Sequence, residues 1–364
     1  MNLPSVMSAV LLTGFGGPEK LVFKKDIPVP SPGFEEVLIK VGAAAINNTD
    51  INTRLGWYSK KVSTATENSN ELIVSGEDVK DAAWDGQSLK FPRIQGADVC
   101  GTIVRVGDGV SKDRLGSRVI VVPMQRTHPY LKPDSAWTLG ADGDGGFAQY
   151  VAVRSEEAHS IKSSYSDAEL ASFPCAYSTA ENLLHHAAVT KGESVLITGA
   201  SGGVGSALLQ LAARRGAKVI AVASKPKLLE IGTLGAYILV SRNDPLHDQV
   251  EKNSVDVVID VVAGGSFGEL LDVLRPGGRY ATAGAIAGPI VELDVRTLYL
   301  KDLTLLGRTL QSPEVFPNLV GYIERNEVKP LVAATYPLCH LQKAQEVFME
   351  KSFIGKLVVL PWEE

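Results

Sequence analysis

The sequence predicts an α/β protein of two domains, one built from short β-strands and the other a doubly wound parallel sheet. Three observations carry this reading. Up to about residue 155, short runs rich in β-branched residues are separated by Gly, Pro and Asp. From about residue 165, near-continuous apolar strands alternate with amphipathic helices, the pattern of a parallel sheet covered on both faces. Within that second region a glycine-rich turn stands where a buried strand passes into a helix.

In chain order, "SAVLLTGF" reads as a first strand closing on a glycine turn, and "LVFKKDIPVP", "EEVLIKVGAAAIN", "GTIVRVG", "SRVIVVP" and "FAQYVAV" as further strands. Two stretches interrupt them: residues 59–92, polar and acidic with isolated apolar anchors, and residues 123–146, rich in Pro, Gly and aromatics. Loops of that length inside a compact domain are usually lids or binding loops. "SDAELASF" then opens a helix, with Ser166 and Glu169 spaced as a capping box, and "STAENLLHHAA" keeps the helical rhythm. "SVLITG", "KVIAVAS", "YILVS", "VDVVIDVV" and "RYATAG" are strands, divided by the helices "GVGSALLQLAARRG", "PKLLEIGTLG" and "SFGELLDVLRPGG". After about residue 310 come two helices and a closing strand, "GKLVVLP", too little for a domain of its own. The expected division is therefore 1–160, completed by 311–364, around an inserted nucleotide-binding domain at 161–310.

The bulk chemistry narrows the function. Of 364 residues 45% are hydrophobic and 21% charged, ordinary for a globular chain, and the net charge is −5. No basic run exists, which argues against a nucleic-acid or anionic-membrane partner. No apolar stretch has the length of a membrane span, and the N-terminus lacks the basic start of a signal peptide. Cys100, Cys175 and Cys339 lie far apart, neither a disulfide framework nor a C-x-x-C metal clip, so a cytoplasmic location is expected.

"VLITGASGGVGSALLQLAARRGAKVIAVAS" is the strongest signal. Gly202 and Gly205 sit where a dinucleotide fold needs a close approach to pyrophosphate and a close helix–strand packing. Ala200 occupies the first glycine position, and Ser201, Gly202, Gly203 and Val204 form the turn and the helix start, whose N–H groups would hold the phosphates. This is the Rossmann arrangement. The following strand ends in Ser224, Lys225 and Lys227, where an NAD-binding domain usually places an acid on the ribose hydroxyls. A hydroxyl and ammonium groups can hold a 2′-phosphate that an acid would repel. NADPH is therefore the expected cofactor, with Arg242 as a further cation. "TGASGGVG" also fits the turn of short-chain dehydrogenases, but none of Tyr237, Tyr280, Tyr299, Tyr322 or Tyr336 has the required Lys four residues on.

With this order of domains the chain resembles the medium-chain dehydrogenase/reductase superfamily over nearly its whole length. "INNTDINTRLGWY" resembles the N-x-x-D-x-x-x-R-x-G-x-Y signature of its zinc-independent quinone oxidoreductase (zeta-crystallin-like) branch, matched by Asn47, Asp50, Arg54, Gly56 and Tyr58. "NNTDIN" with Gly56 and Tyr58 is also similar to mitochondrial-type 2-enoyl thioester reductases. The resemblance implies a GroES-like fold for the β-rich domain and a homodimer joined edge to edge, for which "LYLKDLTLLG" (298–307) is the expected edge strand. It also places Asn47, Ala97 and Cys175 at the three positions that grip catalytic zinc in alcohol dehydrogenases. An amide, a methyl and one thiol cannot replace three ligands, so no metal is expected.

Without a Lewis acid, reduction of a simple carbonyl loses its main source of charge stabilisation. A quinone or α,β-unsaturated carbonyl is easier, because hydride on the β-carbon leaves an enolate that hydrogen-bond donors can steady. The expected activity is thus NADPH-dependent reduction of such small molecules, with 2-enoyl thioester reduction and non-catalytic NADPH binding as alternatives. Asn47 and Tyr58 are the expected donors. Thr49 matches a proton-relaying hydroxyl of the zinc enzymes, and Asp50 is expected to order the local backbone. The resemblance sets Thr179, Gly284 and Lys356 beside the cofactor.

Overall fold

The computed structural model describes residues 3–66, 81–83, 86, 88–126 and 136–363. The lid reading of 67–80, 84, 85, 87 and 127–135 lies outside the described residues.

Six parallel strands form the nucleotide-side sheet, in the spatial order Ile238–Ser241, Lys218–Ala223, Ser194–Ile197, Val255–Asp260, Leu274–Thr282 and Thr304–Gly307. The continuous apolar runs follow from cover on both faces: Val195, Leu196, Ile197, Val257, Val258 and Ile259 are all fully buried. The chain winds outward from Ser194–Ile197 to Ile238–Ser241, then crosses back to Val255–Asp260. Strand order reverses beside Ser194–Ile197, the place where open parallel sheets generally bind their ligands, beyond the carboxyl ends of the strands.

The β-rich part centres on a seven-stranded sheet in which Glu36–Ala45 pairs with Cys100–Val106, Tyr150–Arg154 and Lys356–Leu360. The closing strand thus returns to the first sheet, with Val358 opposite Ala45. One register bond matters for the site: the Ile46 amide donates to the Leu357 carbonyl at 2.9 Å, which sets Lys356 next to Asn47.

The capping box is present at Ser166, whose amide donates to Glu169 Oε2 (2.7 Å) while its hydroxyl accepts from the Glu169 amide (3.3 Å). The proposed edge strand 298–307 is corrected. Asp294 caps a helix over Val295–Leu300, accepting from the Arg296 amide, and the left-handed Asp302 (φ 49°) breaks the chain before the strand Thr304–Gly307 takes the sheet edge. "PKLLEIGTLG" is α-helical only over Leu228–Gly232, after a 3-10 turn at Lys225–Lys227.

Candidate active site

The signature segment folds as one short helix, Asn48–Leu55, with a built start and stop. Asn47 is its N-cap, and Asp50, three residues on, reaches back to accept from the Asn47 amide at 2.8 Å. The second Asp50 oxygen accepts from the Gly96 amide at 3.2 Å, so Asp50 orders two loops at once. Its carboxyl is fully enclosed, and burial pushes it up to about 7 against the pull of those amides and of Lys356. Arg54, buried, donates from Nε to Gln345 (2.9 Å) and from NH1 to the Gly16 carbonyl (2.6 Å). Gly56 ends the helix in the left-handed region (φ 69°), where a Cβ would also press on Phe15. Four of the five signature residues are therefore committed to building this helix. Tyr58, just beyond it, is half-buried and donates to Thr49 Oγ1 at 3.1 Å. Burial holds the Tyr58 phenol well above its ordinary range, so it stays protonated.

Behind this hydroxyl pair lies a buried polar cluster. Asp98, with no exposure, accepts at Oδ2 from Asn47 Nδ2 (2.8 Å) and Lys356 Nζ (2.9 Å), and at Oδ1 from the Cys175 amide (2.6 Å). The Lys356 ammonium also donates to Asn47 Oδ1. Asn47's second amide proton goes to the Ala45 carbonyl (3.3 Å). The donor role expected of Asn47 toward a substrate is thus displaced, because both its amide protons are directed into the protein. Sequence reasoning missed Asp98 as the hub; its place in "QGADVCG", directly after the metal position, was the available signal.

The positions at which zinc would be gripped do not fit a metal. Asn47 offers an amide already bonded, and Ala97 a buried methyl. The Cys175 thiol is pushed up to about 12 by burial and by the Asp98 carboxylate beside it. Asp98 is saturated with donors, and the Lys356 ammonium would repel a second cation.

The glycine turn fits a dinucleotide. The helix Gly203–Arg214 starts after Gly202, whose amide returns to the Gly199 carbonyl at 3.0 Å. A Cβ on Gly202 would find only the Gly199 oxygen, at 3.4 Å, so the outer face of the turn is open. A Cβ on Gly205 would fall onto the Gly199 carbonyl and lie 2.7 Å from Ala200 Cα, which is why the helix can pack there only with glycine. Ala200 is buried, and Ser201 accepts from the Gly355 amide at 3.3 Å. Val204 is half-buried in the helix's first turn. Lys356's stem runs past Gly203, where a Cβ would stand 2.9 Å from Lys356 Cδ. Thr179 hydrogen-bonds the Cys175 thiol, and the Gly284 carbonyl accepts from Thr282 Oγ1 at 3.2 Å.

At the end of Lys218–Ala223, Ser224 and Lys225 lie as expected, but Lys225 Nζ is paired with Asp244 at 3.0 Å. That acid follows Arg242, which is exposed and makes no ion pair among the described residues. Lys227, expected among the ammonium groups for the 2′-phosphate, is instead directed to the carbonyls of Lys351 (2.5 Å) and Phe353 (2.8 Å).

Comparison with known proteins agrees with this geometry. Residues 33–163 match the alcohol dehydrogenase GroES-like domain, and residues 203–325 match the zinc-binding dehydrogenase domain. The chain is 30% identical to the quinone oxidoreductase of Mus musculus, with 98% of each chain covered. It is 27% identical to the acryloyl-coenzyme A reductase of Metallosphaera sedula over 92% of this chain and 95% of that one. A solved structure from Sinorhizobium meliloti 1021, provisionally assigned as an alcohol dehydrogenase, is 45% identical and superposes with a TM-score of 0.88, covering 98% of this chain and 97% of that one. The chain therefore belongs to the medium-chain dehydrogenase/reductase superfamily, in its quinone oxidoreductase branch, and is a nicotinamide-dependent oxidoreductase.

Proposed function

We propose that the protein reduces quinones and α,β-unsaturated carbonyl compounds with NADPH and without a metal. The observation that carries this reading is the pairing of a protonated Tyr58–Thr49 hydroxyl couple with a buried amide–carboxylate–ammonium cluster at the metal positions. Bound nicotinamide would supply the hydride that adds to the β-carbon of the conjugated system. This chain's residues then act on the oxygen that gains charge. In the proposed reaction the Tyr58 O–H turns from Thr49 to this oxygen and can pass on its proton, while the Thr49 hydroxyl donates to the phenol in its place. Asn47 and Asp50 hold the helix that carries Thr49 and precedes Tyr58.

Ala200, Ser201, Gly202, Gly203 and Val204 form the pyrophosphate seat, and Thr179 and Gly284 flank the nicotinamide. Ser224, Lys225 and Arg242 take the 2′-phosphate, which would draw Lys225 from Asp244. A second reading, 2-enoyl thioester reduction, is favoured by the likeness to acryloyl-coenzyme A reductase. The test is steady-state oxidation of NADPH and NADH by 1,4-quinones, enones and crotonyl-CoA after dialysis against a chelator. The expected result is undiminished activity and a preference for NADPH of at least about tenfold in kcat/KM. Activity lost to the chelator and restored by a divalent ion refutes the metal-free reading. NADPH binding with no turnover of any substrate would favour a non-catalytic role.

A homodimer is part of the same proposal. The chain before the edge strand Thr304–Gly307 carries Ile290, Val295, Tyr299 and Leu300, all exposed, apolar surface that an edge-to-edge pairing would be expected to cover. Light scattering on the eluting protein decides it. Among the described residues no helix is long and apolar enough to cross a membrane, and all three cysteines are free thiols, in keeping with a cytoplasmic enzyme.

A further inference from the structure

Lys356 is a buried ammonium to which the chemistry above gives no task. Its side chain is 4% exposed, and the groups facing it are the Asp98 and Asp50 carboxyls, the Asn47 amide and the Cys175 thiol. These contacts reach several elements. Asn47 begins the helix that carries Thr49 and precedes Tyr58. Asp98 bonds the Cys175 amide and so ties in the helix Pro174–His186 that carries Thr179. The lysine stem lies along Gly203, at the start of the phosphate-facing helix. One ammonium–carboxylate pair therefore joins the substrate side, the nicotinamide side and the pyrophosphate seat.

We propose that Lys356 is the internal cation of this site: a positioning residue that stands in for a metal ion by holding Asn47 and Asp98, and that sets the spacing between the glycine turn and the Tyr58–Thr49 pair. Its ammonium is directed to Asn47 and Asp98, which replaces the cofactor contact expected of it. Its effect on the reaction comes through geometry, because hydride transfer demands a near-attack arrangement and a displacement of about 1 Å costs about 100-fold in rate. This rests on the assignment of the protein as a nicotinamide-dependent reductase. The refusal of a metal does not, and it supplies a separate measurement.

The test uses Lys356→Met and the double variant Lys356→Met/Asp98→Asn. Lys356→Met alone leaves a buried carboxylate unpaired and is prone to misfold. The double variant removes both charges and keeps the volume, so it folds. The expected result for the double variant is a wild-type thermal transition, NADPH affinity and substrate KM within about threefold of wild type, and kcat about 100-fold lower. Wild-type kcat in the folded double variant would overturn the proposal and leave the reductase assignment standing. Independently of activity, wild-type protein titrated with cobalt(II) is expected to show no thiolate-to-cobalt absorption. Cobalt bound at Cys175 in the wild type would overturn the proposal even if no substrate were known. If wild type oxidises NADPH with nothing in the panel, the reductase assignment fails and the cobalt titration alone decides on Lys356.

Discussion

Two alanine substitutions three residues apart in the glycine turn should fail in opposite ways. At Gly202 the backbone is ordinary (φ −78°, ψ 173°), and a Cβ has nothing nearer than 3.4 Å within the protein. Ala there gains about 0.4–1 kcal/mol from a stiffer unfolded chain and loses a comparable amount as a poorer N-cap. The net change in stability is within about 1 kcal/mol. In the proposed binding mode, however, the methyl would stand on the face where the pyrophosphate approaches the backbone, and a cofactor excluded by one methyl loses at least about tenfold in affinity. At Gly205 the Cβ falls on the Gly199 carbonyl and lies 2.7 Å from Ala200 Cα. Both obstacles are backbone and cannot rotate away. Overpacking of yielding side chains already costs about 1–3 kcal/mol, so Gly205→Ala should lose about 3 kcal/mol or more. Urea unfolding and NADPH fluorescence titration read the two effects separately. A Gly202→Ala protein that binds NADPH like wild type would remove the pyrophosphate from this turn. A Gly205→Ala protein of wild-type stability would show that the close helix–strand packing is not what the glycine serves.

Three further outcomes are expected. Tyr58→Phe should lower kcat by about 10- to 100-fold with NADPH affinity kept, and unchanged turnover removes Tyr58 from the proton path. Lys225→Ala and Arg242→Ala should each weaken NADPH by about tenfold and leave NADH alone; equal losses for both cofactors in binding titrations would show that neither reads the 2′-phosphate. For Asp50, a folded-state value raised from 3.8 to about 7 means that the native state holds a proton the unfolded chain has lost. Its contribution to stability is present below about pH 4 and is lost as the pH rises toward about 7, by roughly 4 kcal/mol at most. Asp50→Asn should flatten that decline, and urea midpoints with the same slope against pH in both proteins would contradict it.

The fold was legible where local chemistry and pattern agree. The alternation of apolar strands with helices, the Ser166–Glu169 box and the turn before Gly203 each encode their structure within a few residues. The edge segment 298–307 misled because its apolar residues suit a helix or a strand alike, and the decision rests on Asp294 as a cap and on the break at Asp302. The site was legible only in part for a different reason. Asn47, Asp50 and Tyr58 share one segment, but the residues that complete the cluster lie 51 and 309 positions from Asn47. Sheet register alone brings Lys356 to Asn47, and no local pattern records that register. Asp244 was hidden in the same way: the ribose-side acid was sought at the end of Lys218–Ala223, while this one comes from the next strand's turn.

The signature itself changes meaning once the contacts are known. Read as chemistry, N-x-x-D-x-x-x-R-x-G-x-Y places an amide, an acid and a phenol at a reaction centre. Read as structure, its first four residues are a cap, a return bond, an anchor to Gln345 and a left-handed stop, and only Tyr58 is left outside the helix, paired with Thr49. A chain that devotes four residues to fixing one phenol depends on where that phenol stands more than on how acidic it is. Burial makes the Tyr58 proton harder to give up, so in the proposed reaction its transfer would follow hydride addition, once the enolate, a strong base, has formed. That order of events selects substrates whose double bond accepts hydride readily without prior activation of the oxygen. Conjugated carbonyls and quinones meet the requirement, and simple ketones, which need a Lewis acid first, do not.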